Sequence, residues 1–369
     1  MVSGVGMYMK NMAAALVQCG HQAIVVTASS EGKRSETVEN GVVVCRVFSR
    51  EERGSERVRD IVLQIARDHR VDIIEGADHG GDCASLLRLK RQIPVMIKYH
   101  ACQMIDVLRR AHAHYWWQNI TIGAAMLKSW RQMRDEIYSI EHADFACVPS
   151  KRLLEELRKQ SLSLPEKLAV IPNPIAVSTL PEAVEPEEPT VLFVGRIEFG
   201  KGAAFLPDLI RNIVLNFPKA RLEIAGSDSY ARGVGSLKEW VSDRLGSASG
   251  NVQFLGPLGA VELEAAYRRA WVVVVPSLWD NFPTVVLEAM SLARPIVASI
   301  HGGMPEMLEG TGCPVVEPAG DGFAKAVARL LGDKKVRDDV GRRARRRALS
   351  VYSPEVVVAQ YVKYVQSCL

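Results

Sequence analysis

The sequence predicts an α/β protein made of two doubly wound domains, each a largely parallel sheet with helices on both faces. Three observations carry this expectation. Short β-branched runs alternate with longer stretches of helical apolar spacing along the whole chain, the rhythm of βαβ units. Several strand runs, such as Val272-Val-Val-Val275, are apolar at consecutive positions, as strands covered on both faces must be. Finally, 369 residues exceed one ordinary core and suit two domains of roughly 150 to 200 residues each.

Composition narrows the function classes. Hydrophobic residues make up 48% and charged residues 24% of the chain, close to average globular usage, which excludes disordered and fibrous classes. A net charge of +4 is too small to imply a nucleic-acid partner. The seven cysteines are scattered and form no C-x-x-C pair, which reads as reduced thiols in a cytoplasmic protein. No apolar run approaches the ~18 to 20 residues that span a bilayer, and the N-terminus lacks a secretory pattern. Peripheral contact with the cytoplasmic membrane face is left open by the basic run Arg342, Arg343, Arg345, Arg346 and Arg347, which reads also as a solvated helix face.

The elements follow in order. Ser3-Gly-Val-Gly6 leads at once into a helix whose Val5, Met9, Met12, Ala13, Leu16 and Val17 recur at helical intervals, with Gly20 as its stop. A doubly wound domain should open with a strand, so the first strand is expected to be absent or replaced by another segment. Strands are expected at 23–27, 42–47, 72–75, 94–99 and 145–148, and again at 191–194, 222–225, 252–255, 272–275 and 295–299. Between the two sets, Pro174, Pro181, Pro186 and Pro189 stand among Glu182, Glu185, Glu187 and Glu188, a composition that neither packs nor pairs. The expected organisation is an N-terminal domain at 1–173, a linker at 174–189, a C-terminal domain at 190–350, and a final helix at 351–369 packing back on the N-terminal domain. Within 115–140, Met126, Trp130, Met133, Ile137 and Ile140 form one helical stripe, while Trp116 and Trp117 suit an acceptor groove, lipid or core.

Two stretches carry chemistry in the C-terminal half. After the strand at 191–194 come Gly195-Arg196 and Gly200-Lys201-Gly202, then an apolar helix. Such a turn brings amides and two cations to the C-terminal edge of a parallel sheet, and an Arg fork with a Lys point charge suits a diphosphate. The same residues also fit a plain surface turn. The second stretch runs from the strand at 272–275 through Pro276-Ser277, Asp280, Asn281 and Phe282 to Pro283-Thr284, which start a helix and turn its first amides toward the same edge. One turn inside that helix, Glu288 leans back toward its mouth, where a carboxylate can bind vicinal sugar hydroxyls; a helix-dipole role is the alternative.

These residues resemble the family-four glycosyltransferases. Their hallmark is two acidic residues with seven between, inside P-S-x-x-E-x-F-x-x-x-x-L-E-A; Asp280 and Glu288 hold those places here, with Asp where Glu is commoner. Val170-Ile-Pro-Asn-Pro174, Val148-Pro-Ser-Lys151, Gly302-Gly-Met-Pro-Glu306 and Tyr352-Ser353 extend the match across nearly the whole chain. The resemblance implies the GT-B architecture, two Rossmann-like domains facing across a cleft. It implies transfer of a hexosyl group from a nucleoside diphosphate sugar to an acceptor hydroxyl, with retention of configuration, in glycan biosynthesis. The acceptor would be a glycan, a lipid-linked or a small-molecule hydroxyl. Arg196 and Lys201 match the pair that neutralises the donor diphosphate, Glu288 the carboxylate on its ribose, and Gly4-Val-Gly6 a Gly-rich loop near donor and acceptor. His100 matches a histidine near the transferring sugar, and a satisfied core histidine is its other reading. Asp78 and His79 follow another strand end and suit either acceptor contact or a turn.

Electrostatic stabilisation by Arg196, Lys201 and the amides near Thr284 makes a divalent metal unnecessary in this scheme, and no cofactor is expected beyond the donor substrate. An epimerase or phosphorylase of the same shape, or a non-catalytic nucleotide-sugar-binding protein, would use the same residues.

Overall fold

The computed structural model describes residues 4–29, 34–49, 52–100, 132–160, 162–175 and 188–369. The expected linker and the pair Trp116 and Trp117 lie wholly or mainly outside them. The chain divides into two compact units, one built on Ile175–Ser353 and the other on Val5–Pro174 with Pro354–Leu369.

The unit that carries the N-terminal half opens with α1 (Gly4–Gln18) and holds two sheets. Strands β1 (Ile24–Ala28), β2 (Ser35–Glu39) and β3 (Val42–Phe48) pair in the order β1-β3-β2, with β1 parallel and β2 antiparallel to β3. The β2–β3 turn is Asn40-Gly41, both at positive φ (51° and 81°), as a two-residue primed hairpin requires. After α2 (Glu56–Asp68) come β4 (Ile74–Ala77), α3 (Ala84–Leu87), β5 (Val95–Lys98), a helical stretch at 132–142, β6 (Phe145–Val148), α4 (Lys151–Lys159) and β7 (Leu168–Val170). The four strands are parallel in the order β4-β5-β6-β7.

Alternation along β5 and β6 shows why their sequences are apolar throughout. Val95, Ile97, Ala146 and Val148 enter one core with Leu86, Ile140, Leu153 and Leu157. Met96, Phe145 and Cys147 face the other way, onto Tyr8, Met12 and Ala15 of α1 and Val357, Val358, Tyr361 and Val365 of the C-terminal helix. Helix α1 serves both sheets, because Ala13 lies in a separate cluster with Ala23, Val42 and Val44, and Leu16 packs against both. Lys98 is the charged residue that β5 contributes to this face. It is fully buried, and its Nζ donates to the Ile171 carbonyl at 2.5 Å, the pairing a buried ammonium requires.

The second unit begins with β8 (Thr190–Val194), two 3₁₀ turns at Phe199–Lys201 and Ala203–Phe205, α5 (Leu206–Val214) and β9 (Arg221–Ala225). A hairpin of β10 (Tyr230–Ala231) and β11 (Gly235–Ser236), α6 (Leu237–Ser242) and β12 (Val252–Gly256) follow. Then come α7 (Ala260–Arg269), β13 (Val272–Val275), α8 (Thr284–Ser291), β14 (Ile296–Ser299), α9 (Met304–Met307) and β15 (Val315–Val316). Helices α10 (Asp321–Gly332) and α11 (Lys334–Val351) finish this unit, and α12 (Pro354–Cys368) belongs to the other. Six parallel strands lie in the order β12-β9-β8-β13-β14-β15. The chain leaves β8 toward β9 on one side and returns to β13 on the other, so the switch point of the sheet lies beside β8, where ligands of open α/β sheets bind.

The basic run on α11 is partly structural. Arg347 donates to the carbonyls of Met307 (2.9 Å) and Glu306 (2.8 Å), and Arg343 pairs with Asp339 at 2.8 Å.

Candidate functional site

At the C-terminal edge of the six-stranded sheet, three loops brace one another. The first follows β8 and carries Gly195, Arg196 and Lys201. The second follows β13 and carries Asp280, Asn281 and Phe282. The third follows β14. The amide of Leu278 donates to the Gly200 carbonyl at 3.0 Å, and the amide of Gly303 to the Asp280 carbonyl at 2.9 Å. Close approach at two glycines makes this possible. A Cβ on Gly202 would fall 2.1 Å from the Pro276 carbonyl oxygen, and one on Gly302 would fall 1.9 Å from that of Asp280. Both glycines have φ near +80° (84° and 78°), a conformation that costs a side chain further strain.

The bracing brings Lys201 onto Asp280, Nζ to Oδ2 at 2.5 Å. The Asp280 charge raises the Lys201 pKa, and burial only partly opposes it, so the ammonium stays charged. Arg196 lies beside it, 58% exposed, its Nη2 3.1 Å from Glu198 Oε1. The two cations are thus held by two carboxylates on the same loops, with Arg196 open to solvent.

The Asp280 loop leads into α8. Pro283 is the N-cap, and no side chain caps the helix, so its first amides are turned toward this edge. Thr284 opens the helix, half-buried, and Asn281 Oδ1 accepts from the Trp279 indole at 2.6 Å. Phe282 is placed differently from its expected donor contact. Its ring is buried and meets Tyr352 edge-on, with centroids 5.6 Å apart, so it anchors the loop to the core. On the next turn, Glu288 Oε2 accepts from Tyr267 Oη at 2.7 Å. Burial raises the Glu288 pKa and the tyrosine hydrogen bond opposes that rise. Tyr267, at the end of α7, escaped sequence reasoning because nothing local links positions 267 and 288.

The remaining candidates lie in the other unit. Asp78 follows β4 and is fully buried; its Oδ1 accepts from the amides of His79 and His100, each at 2.9 Å. Through Oδ1 it clasps the ends of β4 and β5. The His100 ring meets the Tyr8 ring at a tilt of 59°, with centroids 4.6 Å apart. Burial first, then the nearby Lys98 and His79 charges, hold its pKa well below the ordinary value, so the imidazole is neutral. The side chain of His79 is 43% exposed, and its Nδ1 lies 3.7 Å from Glu136 Oε1. Gly4 and Gly6 require a correction. The structure winds both into the first turn of α1 rather than into a loop, because the apolar face that packs on the sheets extends the helix back to them.

Comparison with known proteins agrees with this geometry. The sequence model of Glycosyltransferase Family 4 matches residues 2–179, and that of Glycosyl transferases group 1 matches residues 188–333. The chain belongs to the family-four glycosyltransferases. A glycosyltransferase of Methanocaldococcus jannaschii is 33% identical over 184 residues, 48% of this chain and 45% of that protein. The sulfoquinovosyl transferase SQD2 of Arabidopsis thaliana is 31% identical over 166 residues, 44% of this chain and 30% of that one. The chain therefore aligns with under half the length of these relatives. Among solved structures, sucrose-phosphate synthase of Thermosynechococcus elongatus superposes with a TM-score of 0.79 at 20% identity, covering 99% of this chain and 93% of that one. HepE of Anabaena, solved in complex with UDP, gives 0.70 at 17% identity over 100% and 97%. These two likenesses establish the GT-B fold of two Rossmann-like domains.

Proposed function

We propose that this family-four glycosyltransferase moves a hexosyl group from a nucleoside diphosphate sugar to an acceptor hydroxyl with retention of configuration. The observation that carries the reading is the pairing of Lys201 with Asp280 beside Arg196, at a sheet edge where α8 also turns its first amides. When the bond from the anomeric carbon to the diphosphate breaks, its electron pair leaves with the phosphate oxygen. Two fixed cations and a helix terminus placed there stabilise that charge more in the transition state than in the ground state. In this reading protein groups neutralise the diphosphate and no metal is needed.

Glu288 is assigned to the donor ribose. Its carboxylate is held by Tyr267 from behind, which leaves acceptor capacity for sugar hydroxyls. His100, neutral and anchored through its amide, is assigned to a sugar hydroxyl, where a neutral imidazole can donate or accept. Because HepE was solved with UDP, UDP is the first probe. Calorimetry of UDP with the whole chain and with Arg196→Ala and Lys201→Ala tests the donor site, and mass spectrometry of products from UDP-sugars with added acceptors tests transfer. Equal UDP affinity in all three proteins would sink the phosphate assignment.

A further inference from the structure

The acceptor side of the molecule contains a buried carboxylate that the donor site does not use. Glu136 lies in the helical stretch 132–142, and its side chain is wholly buried. Its Oε1 accepts from the amide of Gly80 at 2.7 Å and lies 3.7 Å from Nδ1 of His79. The turn that carries these residues is pressed against the helix. A Cβ on Gly81 would fall 2.5 Å from the Asp135 carbonyl carbon and 2.7 Å from the Glu136 amide nitrogen. The helix is itself tied to the end of α3, where Arg88 pairs with Asp135 at 2.5 Å. The position of His79 relative to Glu136 is thereby set by backbone contact as well as by the carboxylate.

His79 is two-sided. Its Nδ1 is buried without a hydrogen-bond partner, and the Glu136 carboxylate faces it across 3.7 Å, while 43% of its side chain reaches solvent. A carboxylate facing Nδ1 favours the tautomer with the proton there, since only a donor matches an ionised oxygen. The lone pair is then on Nε2, at the open edge. We propose that Glu136 is a positioning residue for the acceptor: it holds His79 with Nδ1–H inward so that Nε2 receives a hydrogen bond from a hydroxyl of a polyol or sugar. This rests on the transfer to an acceptor hydroxyl proposed above. Among the described residues, the other titratable groups around the ring are Asp82, which pairs with Arg53 at 2.5 Å, Asp78, whose Oδ1 serves two amides, and the neutral His100. Arg53 and Asp82 are both part-exposed and give the same rim a donor and an acceptor for neighbouring hydroxyls.

The test uses the full chain labelled with ¹⁵N-histidine, with His79→Asn to assign the resonance. Wild-type His79 is expected as the Nδ1–H tautomer. Glu136→Gln keeps a carbonyl oxygen for the Gly80 amide but removes the charge, so the fold is retained. His79 should then lose its tautomer preference, because no charged oxygen faces Nδ1. Addition of glucose, myo-inositol or glycerol should move the Nε2 resonance in the wild type. An Nε2–H tautomer in the wild type overturns the proposal with no variant at all. An unchanged tautomer in Glu136→Gln, or no response to any of the three polyols, overturns it equally. The readout is independent of UDP binding, so failure of the donor assignment at Lys201 would be seen separately.

Discussion

Lys201 and Asp280 meet at 2.5 Å although 79 residues separate them in the chain. Asp280 occupies the first acidic position of the family pattern, and here its carboxylate is committed to the cation rather than left for a sugar. The shorter Asp suits that contact because the Gly202 and Gly302 approaches bring the two loops together. Removing the ammonium should therefore affect phosphate binding directly. Lys201→Ala is expected to lower UDP affinity by about tenfold or more, the scale of one lost charge-assisted hydrogen bond. The loss should shrink as salt is raised, and calorimetry at two ionic strengths checks both parts.

Gly302→Ala tests the loop bracing. The added Cβ meets the Asp280 carbonyl at 1.9 Å with φ at +78°, so the backbone must shift. A cost of about 1 to 3 kcal/mol in unfolding free energy is expected, together with weaker UDP binding because Asp280 moves. Urea unfolding that matches the wild type would show that the loops do not need this contact.

Tyr267→Phe removes the hydroxyl that supports Glu288. A loss of about 1 to 3 kcal/mol is expected from urea unfolding. The pH dependence has a definite sign. Burial raises the folded pKa of Glu288 above the ordinary value of 4.5, so its contribution is complete below that value and is lost as pH rises through the folded pKa. Glu288→Gln should thus gain stability relative to the wild type as pH rises from 4.5, and parallel curves for the two proteins would refute this.

His100 gives the opposite slope. Its folded pKa lies well below the ordinary value of 6.5, through burial, Lys98 and His79. The unfolded state therefore binds the proton first, and stability is full above 6.5 and falls as pH drops toward the folded value. Thermal unfolding at pH values on both sides of 6.5 should show a decline in the wild type that is reduced in His100→Asn.

Chelation tests the electrostatic reading. If Arg196, Lys201 and the α8 terminus neutralise the diphosphate, transfer measured after EDTA treatment should keep the untreated rate. A rate restored only by added divalent ions would assign that work to a metal.

Much of the fold was legible because local chemistry imposes it. Consecutive apolar residues in Val272–Val275 and Phe145–Val148 can be accommodated only in strands covered on both faces, and the glycines and cations after β8 have few other uses at a sheet edge. The Asn40-Gly41 hairpin is also written locally, but its strand Ser35–Glu39 is exposed throughout and so carries no apolar run to mark it. Other features had no local signature. The sequence placed Gly4 and Gly6 in a loop, whereas packing of α1 on two sheets made them helical. Phe282 looked like a ligand contact until Tyr352, 70 residues away, claimed its ring. The partners of Glu288 and His79, Tyr267 and Glu136, lie 21 and 57 residues from them in sequence.

The sequence by itself determined the strands, the helices and the identity of the charged groups, since those depend on side-chain periodicity and backbone preference over a few residues. Which carboxylate meets which cation, and which imidazole is neutral, was decided only by the tertiary structure. Those properties depend on burial and on distances of a few ångströms between elements, and chain folding sets both at once.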